Sequence, residues 1–425
     1  MTEPSRRDLL RLAGATALWA SCGDNLASKP PNDSIGSAIF EARSDSFVVS
    51  LWSTGARNVT VEISDALGVV QSVLAPVIAQ QARVLATDLA PGTQYTVSLL
   101  TDDGTRMQHA VRTSPADDDP RAVRIAVSAD LDPQPAFDSD IFDQIIAADP
   151  DVFFTIGDVP YTDDGPVALT VDEYRQRHGL LRTAPYLRPW LEAIGLCAIY
   201  DDHEFRNDWD ASRVAAEPDR YAAAMQVWDE FFPLQATPPA PADEVRYRNF
   251  RWGANVECFV LDCRRFRSAN AAPDDATKTM LGATQKAWFL AALARSTAPF
   301  KLVFTSVPLD YGVGDDHWAG YTTEREELLA AIQAMATPGV LFLSGDQHYF
   351  AAYRHSFGLR EFQVGPLRRG LGTPGPTGPG VLFRDLRFNF GVLDITAETL
   401  TIRGVGPGGD VFYKETFSSA QLAPM

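Results

Sequence analysis

From residue 36 to about residue 114, short apolar runs alternate with polar positions: SFVVSLW, VTVEIS, RVLATDL and YTVSLLT, divided by Gly, Asp and Pro. The period of two and the regular turn punctuation predict a β-sandwich that needs no helix. The acidic stretch SPADDDP, Ser114 to Pro120, ends this pattern. Beyond it, apolar strands alternate with amphipathic helices. The strands are VRIAVSA, DVFFTIGD, LCAIYDD, NVECFVLD, FKLVFTSV and GVLFLSGD; the helices are SDIFDQIIAA, more than one from Asp172 to Glu192, AAAMQVWDEFF, GATQKAWFLAALARS and TEREELLAAIQAMA. Fully apolar strands between helices predict an α/β unit with buried sheets. GLGTPGPTGPG, Gly370 to Gly380, has no sustained triplet period and reads as a loop near a site.

Composition narrows the partners. The 425 residues carry 37 Lys and Arg against 55 Asp and Glu, so the formal charge is 37 − 55 = −18. Such an acidic chain argues against nucleic acid, other than as a substrate, and against anionic membranes, because both need a positive field. An anionic substrate would need metals or local arginines to neutralise its site. Four cysteines exclude a disulfide-rich scaffold. Cys258 and Cys263 point to opposite faces of their strand and, with Cys197, are expected in the core.

The first residues have the form of an export signal. Arg6 and Arg7 follow Ser5, a modest apolar stretch runs from Leu9 to Ala20, and Cys22 comes next. This is similar to a twin-arginine signal, read by the Tat export machinery, and the apolar stretch is too short to be a transmembrane helix. Trp19-Ala20-Ser21-Cys22 resembles a lipobox in which Cys22 is the acylated residue; simple cleavage nearby is the other reading, and both stay open. The expected organisation is a signal peptide over 1–21, a polar tether over 22–34, a β-sandwich over 35–116 and an α/β unit over 120–425. The protein is expected outside the cytoplasm: periplasmic, at the cell surface as a lipoprotein, or extracellular.

The candidate chemistry follows the strands. Asp130 comes after VRIAVSA, Asp158 after VFFTIG, Asp201 and Asp202 after LCAIY, and Asp346 after VLFLSG. Ligands bind at the C-terminal ends of strands in open α/β sheets. One such aspartate is more often a cap or turn residue, but four clusters in register at one sheet edge would repel one another unless cations lay between them. His203 in DDHE and His348 in GDQH fall inside the clusters, while His109, His178, His317 and His355 are expected in surface or loop roles. Tyr161 in GDVPY is spaced to return to the same metal, and phenolate suits ferric iron.

GDVPY, DDHEFRND, LDCRRFR, MLGATQKAWF, DHWAGYTTER, SGDQH and EFQVGP, in this order, resemble the alkaline phosphatase D (PhoD-like) family, a branch of the calcineurin-like metallophosphoesterases. Upstream, DLAPGTQYTVSLLTDDG resembles the fibronectin type III pattern, with Leu89 and Tyr95 as core anchors. The implied architecture is an α/β (α+β sandwich) chain: a fibronectin III/Ig-like β-sandwich followed by a metallophosphoesterase α/β/β/α domain. The resemblance makes Asp158 the bridging carboxylate, with Asp130, Tyr161 and His348 completing one metal shell and Asp202 and Asp346 holding the second metal. His203 would stay off the metals and protonate the leaving oxygen, its ring oriented by Asp201 or Glu204. Arg264 and Arg267, with Arg206 as a further candidate, would meet the phosphoryl oxygens, and Asn207 and Asp208 would bind substrate or a further cation or lie at a solvated helix start. Many family members have cysteine where this chain has Asp130. The first metal is therefore Fe3+, Mn2+ or Zn2+, with Asp132 a further candidate ligand, and the second is Ca2+, Mg2+ or Mn2+.

The implied activity is secreted phosphomonoesterase and phosphodiesterase action on small phosphate esters by a metal-activated hydroxide. No GxSxG elbow or exposed thiol offers a covalent route. Two alternatives stay open: a dinuclear-metal hydrolase of another ester class, and an inactive cell-surface binding protein.

Overall fold

The structure, a computed structural model, describes residues 34–133, 139–235 and 245–425. Arg6, Arg7 and Cys22, and with them the export and lipidation readings, lie outside the described residues, as does most of the tether.

The chain opens with seven strands: β1 (Ile35–Phe40), β2 (Phe47–Ser53), β3 (Asn58–Asp65), β4 (Gly68–Pro76), β5 (Gln81–Ala86), β6 (Gln94–Thr101) and β7 (Arg106–Arg112). Strands β3, β5, β6 and β7 alternate buried and open positions, as a half-buried strand must. Leu89 and Tyr95 are buried, and the Tyr95 hydroxyl accepts from Ala90 N at 2.8 Å. After the acidic stretch come β8 (Val123–Ser128), α1 (Ile141–Ala147), β9 (Val152–Ile156), α2 (Val171–Thr183), α3 (Arg188–Ala193) and β10 (Leu196–Ile199). The helices predicted from Asp172 to Glu192 are two, divided at Ala184 and Pro185. Pro185 forces Ala184 into extended backbone, at φ −61 and ψ 119, and the helix stops there.

Next come α4 (Ala211–Ala216), α5 (Pro218–Phe231), β11 (Arg248–Trp252), β12 (Val256–Val260), α6 (Gly282–Arg295), β13 (Phe300–Phe304), α7 (Thr322–Ala334) and β14 (Val340–Ser344). The chain ends in six strands not anticipated from the sequence: β15 (Phe350–Arg354), β16 (Arg360–Gln363), β17 (Val381–Asp385), β18 (Phe390–Ile395), β19 (Thr399–Val405) and β20 (Val411–Ser418).

Two sheets form the middle of the molecule. The first has the order β20-β19-β18-β8-β9-β10-β1-β2-β5 and the second β11-β12-β13-β14-β16-β15-β17. They pack face to face: Phe154 of β9 stacks on Phe304 of β13 with centroids 4.0 Å apart and planes 4° apart. Its neighbour Phe153 points the other way, against Trp190 of α3 at 5.1 Å. On the far face of the second sheet, Phe259, Val303 and Phe342 share a cluster with Phe289 and Leu293 of α6 and Leu328 and Ile332 of α7. This is the α/β/β/α layering. Cys258 lies in the inter-sheet core and Cys263 in the outer cluster; both are buried free thiols, as is Cys197.

The sandwich is not merely tethered to this unit. Its strands β1, β2 and β5 continue the first sheet, with β1 parallel to β10 at Phe40 and Leu196, while β4-β3-β6-β7 forms a separate sheet. Glu41, at positive φ just past β1, locks the joint. Its N–H donates to Leu196 O at 2.8 Å. Its buried carboxylate takes Arg248 Nε at 3.0 Å and Nη2 at 2.5 Å, and also pairs with Arg43.

Of the four histidines expected in surface or loop roles, His109 and His178 lie buried in β7 and α2, whereas His317 and His355 do lie in loops, His317 buried and His355 half-buried. His109 donates from Nδ1 to Leu191 O at 3.1 Å and accepts from Ser37 Oγ at 2.7 Å. His178 lies against Phe231 and Phe232, His355 bonds Glu361 at 2.6 Å, and His317 packs on Gly312. A neutral imidazole tolerates a core, and burial pulls His109 down to about 4 and His178 to about 3.

Candidate metal centre

The four post-strand clusters do converge, but across two sheets and not at one sheet edge. Asp130, Asp158 and Asp202 follow β8, β9 and β10 of the first sheet, and Asp346 and His348 follow β14 of the second. Face-to-face packing brings the strand ends to a common point. Asp130, Asp158, Asp346 and His348 all adopt left-handed backbone, with φ of 60°, 59°, 74° and 59°. The sharp turn this allows reverses each chain at its strand end, and aspartate tolerates it better than most residues. Two glycines give the carboxylates room. Gly157 at φ +115 passes against Asp201, and a Cβ on Gly365 would lie 2.5 Å from Asp130 Oδ2.

Candidate ligand atoms of Asp130, Asp158 and His348 lie within 4.8 Å of one another, as do those of Asp158, Asp202 and His203, and those of Asp201, Asp202 and Asp346. Tyr161 joins the first group: its hydroxyl is 2.9 Å from Asp158 Oδ2 and 2.7 Å from His348 Nε2. His348 Nδ1 faces Gly370 O at 2.7 Å. A carbonyl only accepts, so Nδ1 carries the proton and Nε2 presents a lone pair to the group, as a metal ligand must. Burial pulls this imidazole down to about 4, which keeps it neutral.

The electrostatics call for cations. Burial, then the charges of neighbouring aspartates, push the Asp130, Asp158 and Asp346 carboxyls well above the ordinary range, and burial with Asp158 does the same to the Tyr161 phenol. Asp202 goes the other way: burial opposes its charge, but Arg264 and His203 outweigh that and hold it low. Both carboxylate oxygens of Asp130 and Oδ1 of Asp202 are buried with no hydrogen-bond partner among the described residues. An unpaired buried carboxylate is costly unless a cation takes its lone pairs. The residues present therefore fit a pair of metal ions. Asp202, Asp208 and Asp316 make a further acidic group, with Asp208 exposed at its edge.

Several roles expected from the sequence fall differently. The ring of His203 is oriented by Asp163, which accepts from Nδ1 at 2.7 Å, and not by Asp201 or Glu204. Asp201 instead takes Arg264 Nε at 2.6 Å and Nη2 at 2.8 Å and the Ser306 hydroxyl at 2.6 Å. Glu204 accepts the backbone N–H of Val159 at 2.7 Å and of Asp201 at 3.0 Å, and so shapes both ligand-bearing turns. Burial pulls His203 down, yet Asp202 and Asp163 together raise it to about 9 in the absence of bound cations.

The structure closes Arg264 and Arg267 off from solvent. Their side chains are 0% exposed, and their guanidinia are held by Asp201 and Asp316. They neutralise carboxylates behind the site. Arg206 pairs with Glu217. Asn207 is exposed in a turn four residues before α4, with its N–H on Asp163 Oδ2 at 2.6 Å, so it is not a helix start. Asp132 bonds Arg369 at 3.0 Å. The Gly/Pro-rich loop does lie against the site: Gly372 N donates to His348 O at 3.0 Å. Asp163 and Arg369 were missed, although Asp163 stands two residues past GDVPY and Arg369 three past EFQVGP.

The sequence profile of the PhoD-like phosphatase family matches residues 133–373, more than half of the chain. The chain belongs to the PhoD-like phosphatase family. Alkaline phosphatase D of Bacillus subtilis (strain 168) is 29% identical over 206 residues, 42% of this chain and 35% of that protein, so the match spans about a third of the relative's length. A solved structure of PhoD superposes with a TM-score of 0.82 at 20% identity, covering 91% of this chain and 90% of the other, which shows a shared fold. The PhoD-like match includes Asp158, Tyr161, Asp202, His203, Asp346 and His348, whereas Asp130 precedes it.

Proposed function

We propose that this chain is an exported, metal-dependent phosphoesterase that hydrolyses both phosphomonoesters and phosphodiesters. The observation that carries the reading is the convergence of Asp130, Asp158, Asp202, Asp346 and His348 around buried carboxylate oxygens that have no partner among the described residues. Asp130, Asp158, Tyr161 and His348 would hold one ion, with oxygen and imidazole donors that suit ferric iron, manganese or zinc. Asp158, Asp202 and Asp346 would hold the other, a carboxylate set that suits calcium, magnesium or manganese. Bound there, the ions supply charge neutralisation for the phosphoryl group and acidify water. The residues of 120–425 form the catalytic unit and the sandwich of 35–116 buttresses its first sheet.

His203 supplies the proton. Asp163 fixes Nδ1–H, which leaves Nε2 to serve the leaving oxygen, and the ring lies 4.1 Å from that of Tyr161, beside the ligand group. His203→Ala is expected to keep its metals and lose turnover by ~10²-fold or more, the usual contribution of a positioned acid. Metal analysis of protein purified without chelators, joined to assays on a nitrophenyl monoester and its diester, tests both statements. A metal-loaded wild type that cleaves neither ester removes the phosphoesterase reading, and a His203→Ala protein stripped of metal makes that residue a ligand.

Export belongs to the same reading and rests on Arg6, Arg7 and the apolar stretch after them. Among the described residues no helix is long and apolar enough to cross a membrane. Replacing Arg6 and Arg7 with lysine keeps the charge but is expected to strand the precursor in the cytoplasm, since a receptor reads the pair. Undiminished export in a fractionation experiment would point to the general secretory route. Membrane release of Cys22→Ala would separate lipidation from simple cleavage.

A further inference from the structure

We propose that Arg369 is the guanidinium that meets the substrate's phosphoryl oxygens, an assignment that rests on the phosphoesterase reading. The backbone around it is stitched to both ligand-bearing turns. Leu367 N donates to Ala129 O at 3.0 Å and Arg368 N to Asp130 O at 3.2 Å. Gly370 O accepts from His348 Nδ1 at 2.7 Å. Arg369 therefore springs from a segment fixed to the turns that carry Asp130 and His348. Its guanidinium carbon lies 4.2 Å from the centre of the Tyr161 ring, whose hydroxyl is in the first ligand group.

Access separates it from Arg264 and Arg267, and its place on the segment bonded to the Asp130 and His348 turns separates it from Arg206, whose side chain is 36% exposed. The Arg369 side chain is 21% exposed, whereas Arg264 and Arg267 are sealed behind the carboxylates. Arg206 is turned to Glu217, and Arg177 donates to the carbonyls of Asp164 and Pro166. Arg369 bonds Asp132 Oδ2 at 3.0 Å and also pairs with Asp164, whose side chain is half exposed. A half-exposed ion pair contributes little stability, so its exchange for a phosphate costs little. Phosphate repays the exchange, because guanidinium meets two of its oxygens with parallel, charge-assisted hydrogen bonds. Asp132, the more buried partner, keeps the side chain over the site meanwhile.

The experiment compares wild type, Arg369→Ala, Arg369→Lys and Asp164→Asn, each metal-loaded, by calorimetry with inorganic phosphate and by kinetics on a nitrophenyl monoester. Arg369→Ala is expected to weaken phosphate binding about ten- to a hundredfold, the range for a hydrogen bond to a charged group. KM should rise by a similar factor with a smaller change in kcat and unaltered metal content. Arg369→Lys should recover only part, lacking the fork. Asp164→Asn, which removes a competitor for the guanidinium, should tighten phosphate by about two- to fivefold. Unchanged phosphate affinity and KM in Arg369→Ala overturn the assignment. So does loss of metal with normal KM in the loaded fraction, which would make the residue only a prop for Tyr161. Should the alanine variant fail to fold, wild-type affinity in Arg369→Lys together with no tightening in Asp164→Asn overturns it equally. A wild type that binds phosphate but cleaves no ester defeats the phosphoesterase reading alone, since the affinity comparison still decides the role of Arg369.

Discussion

Asp158→Asn is expected to lose both ions and nearly all turnover. Asp158 lies in two candidate ligand groups at once, one with Asp130 and His348 and one that includes Asp202. Its Oδ2 also faces the Tyr161 hydroxyl at 2.9 Å. An amide offers one neutral oxygen where the carboxylate offers two charged ones, so neither ion keeps its shared donor. Turnover should fall by more than ~10³-fold, because loss of even one preorganised stabilising group commonly costs about 10²–10³. Stability supplies a second readout. In chelator-treated protein the substitution removes one negative charge from a buried, mutually repelling cluster, so the variant should unfold at a higher urea concentration than wild type. With metals restored the order should reverse. Full metal content and full activity in the variant would remove Asp158 from the centre.

The largest effect on stability is expected far from the chemistry, at Glu41→Gln. The carboxylate is fully buried and shared between Arg248 and Arg43, and it stands where the sandwich strand meets the catalytic sheet. Glutamine keeps the shape but leaves two guanidinia beside a neutral amide. Stranding a buried charge in this way costs about 3–5 kcal/mol. The urea midpoint should fall accordingly, with ester hydrolysis by the folded fraction unchanged. The pH dependence has a definite sign. Burial opposes the charge of Glu41, but Arg248 and Arg43 outweigh it and hold the folded carboxyl below its ordinary value. Its stabilisation is therefore complete above the unfolded carboxyl pKa and is lost as pH falls through the lower folded one. Wild type should lose stability in that acid window, and Glu41→Gln should lack that component of the slope. Equal midpoints for the two proteins at neutral pH would show that the joint does not depend on this ion cluster.

The strand-end aspartates were legible because their signal is local. A largely apolar run of five or six residues followed at once by Ala-Asp, Gly-Asp or Asp-Asp marks both a buried strand and the turn that ends it, and β8, β9, β10 and β14 carry Asp130, Asp158, Asp201, Asp202 and Asp346 in that place. Tyr161 and His348 were legible for the same reason, as each lies within three residues of such an aspartate. The six C-terminal strands were not. Arg384 of β17 and Arg403 of β19 interrupt the apolar pattern, β17 and β20 lie at sheet edges, and pairings such as β18 with β8 leave no local period in the chain.

Sequence alone thus determined the buried strands β8, β9, β10, β12, β13 and β14, the polar residues at their ends and the acidic, metal-demanding character of the chain, since each depends on neighbours in the chain. The tertiary structure decided which charges pair. The family resemblance of LDCRRFR implies a phosphate contact for Arg264, yet Asp201, 63 positions away, draws its guanidinium wholly into the interior. Arg369 was overlooked, yet the turns holding Asp130 and His348 place it over Tyr161. A guanidinium goes where a carboxylate can neutralise it, and in a two-sheet core that carboxylate comes from a strand remote in sequence, so only the packed sheets select the arginine left facing solvent.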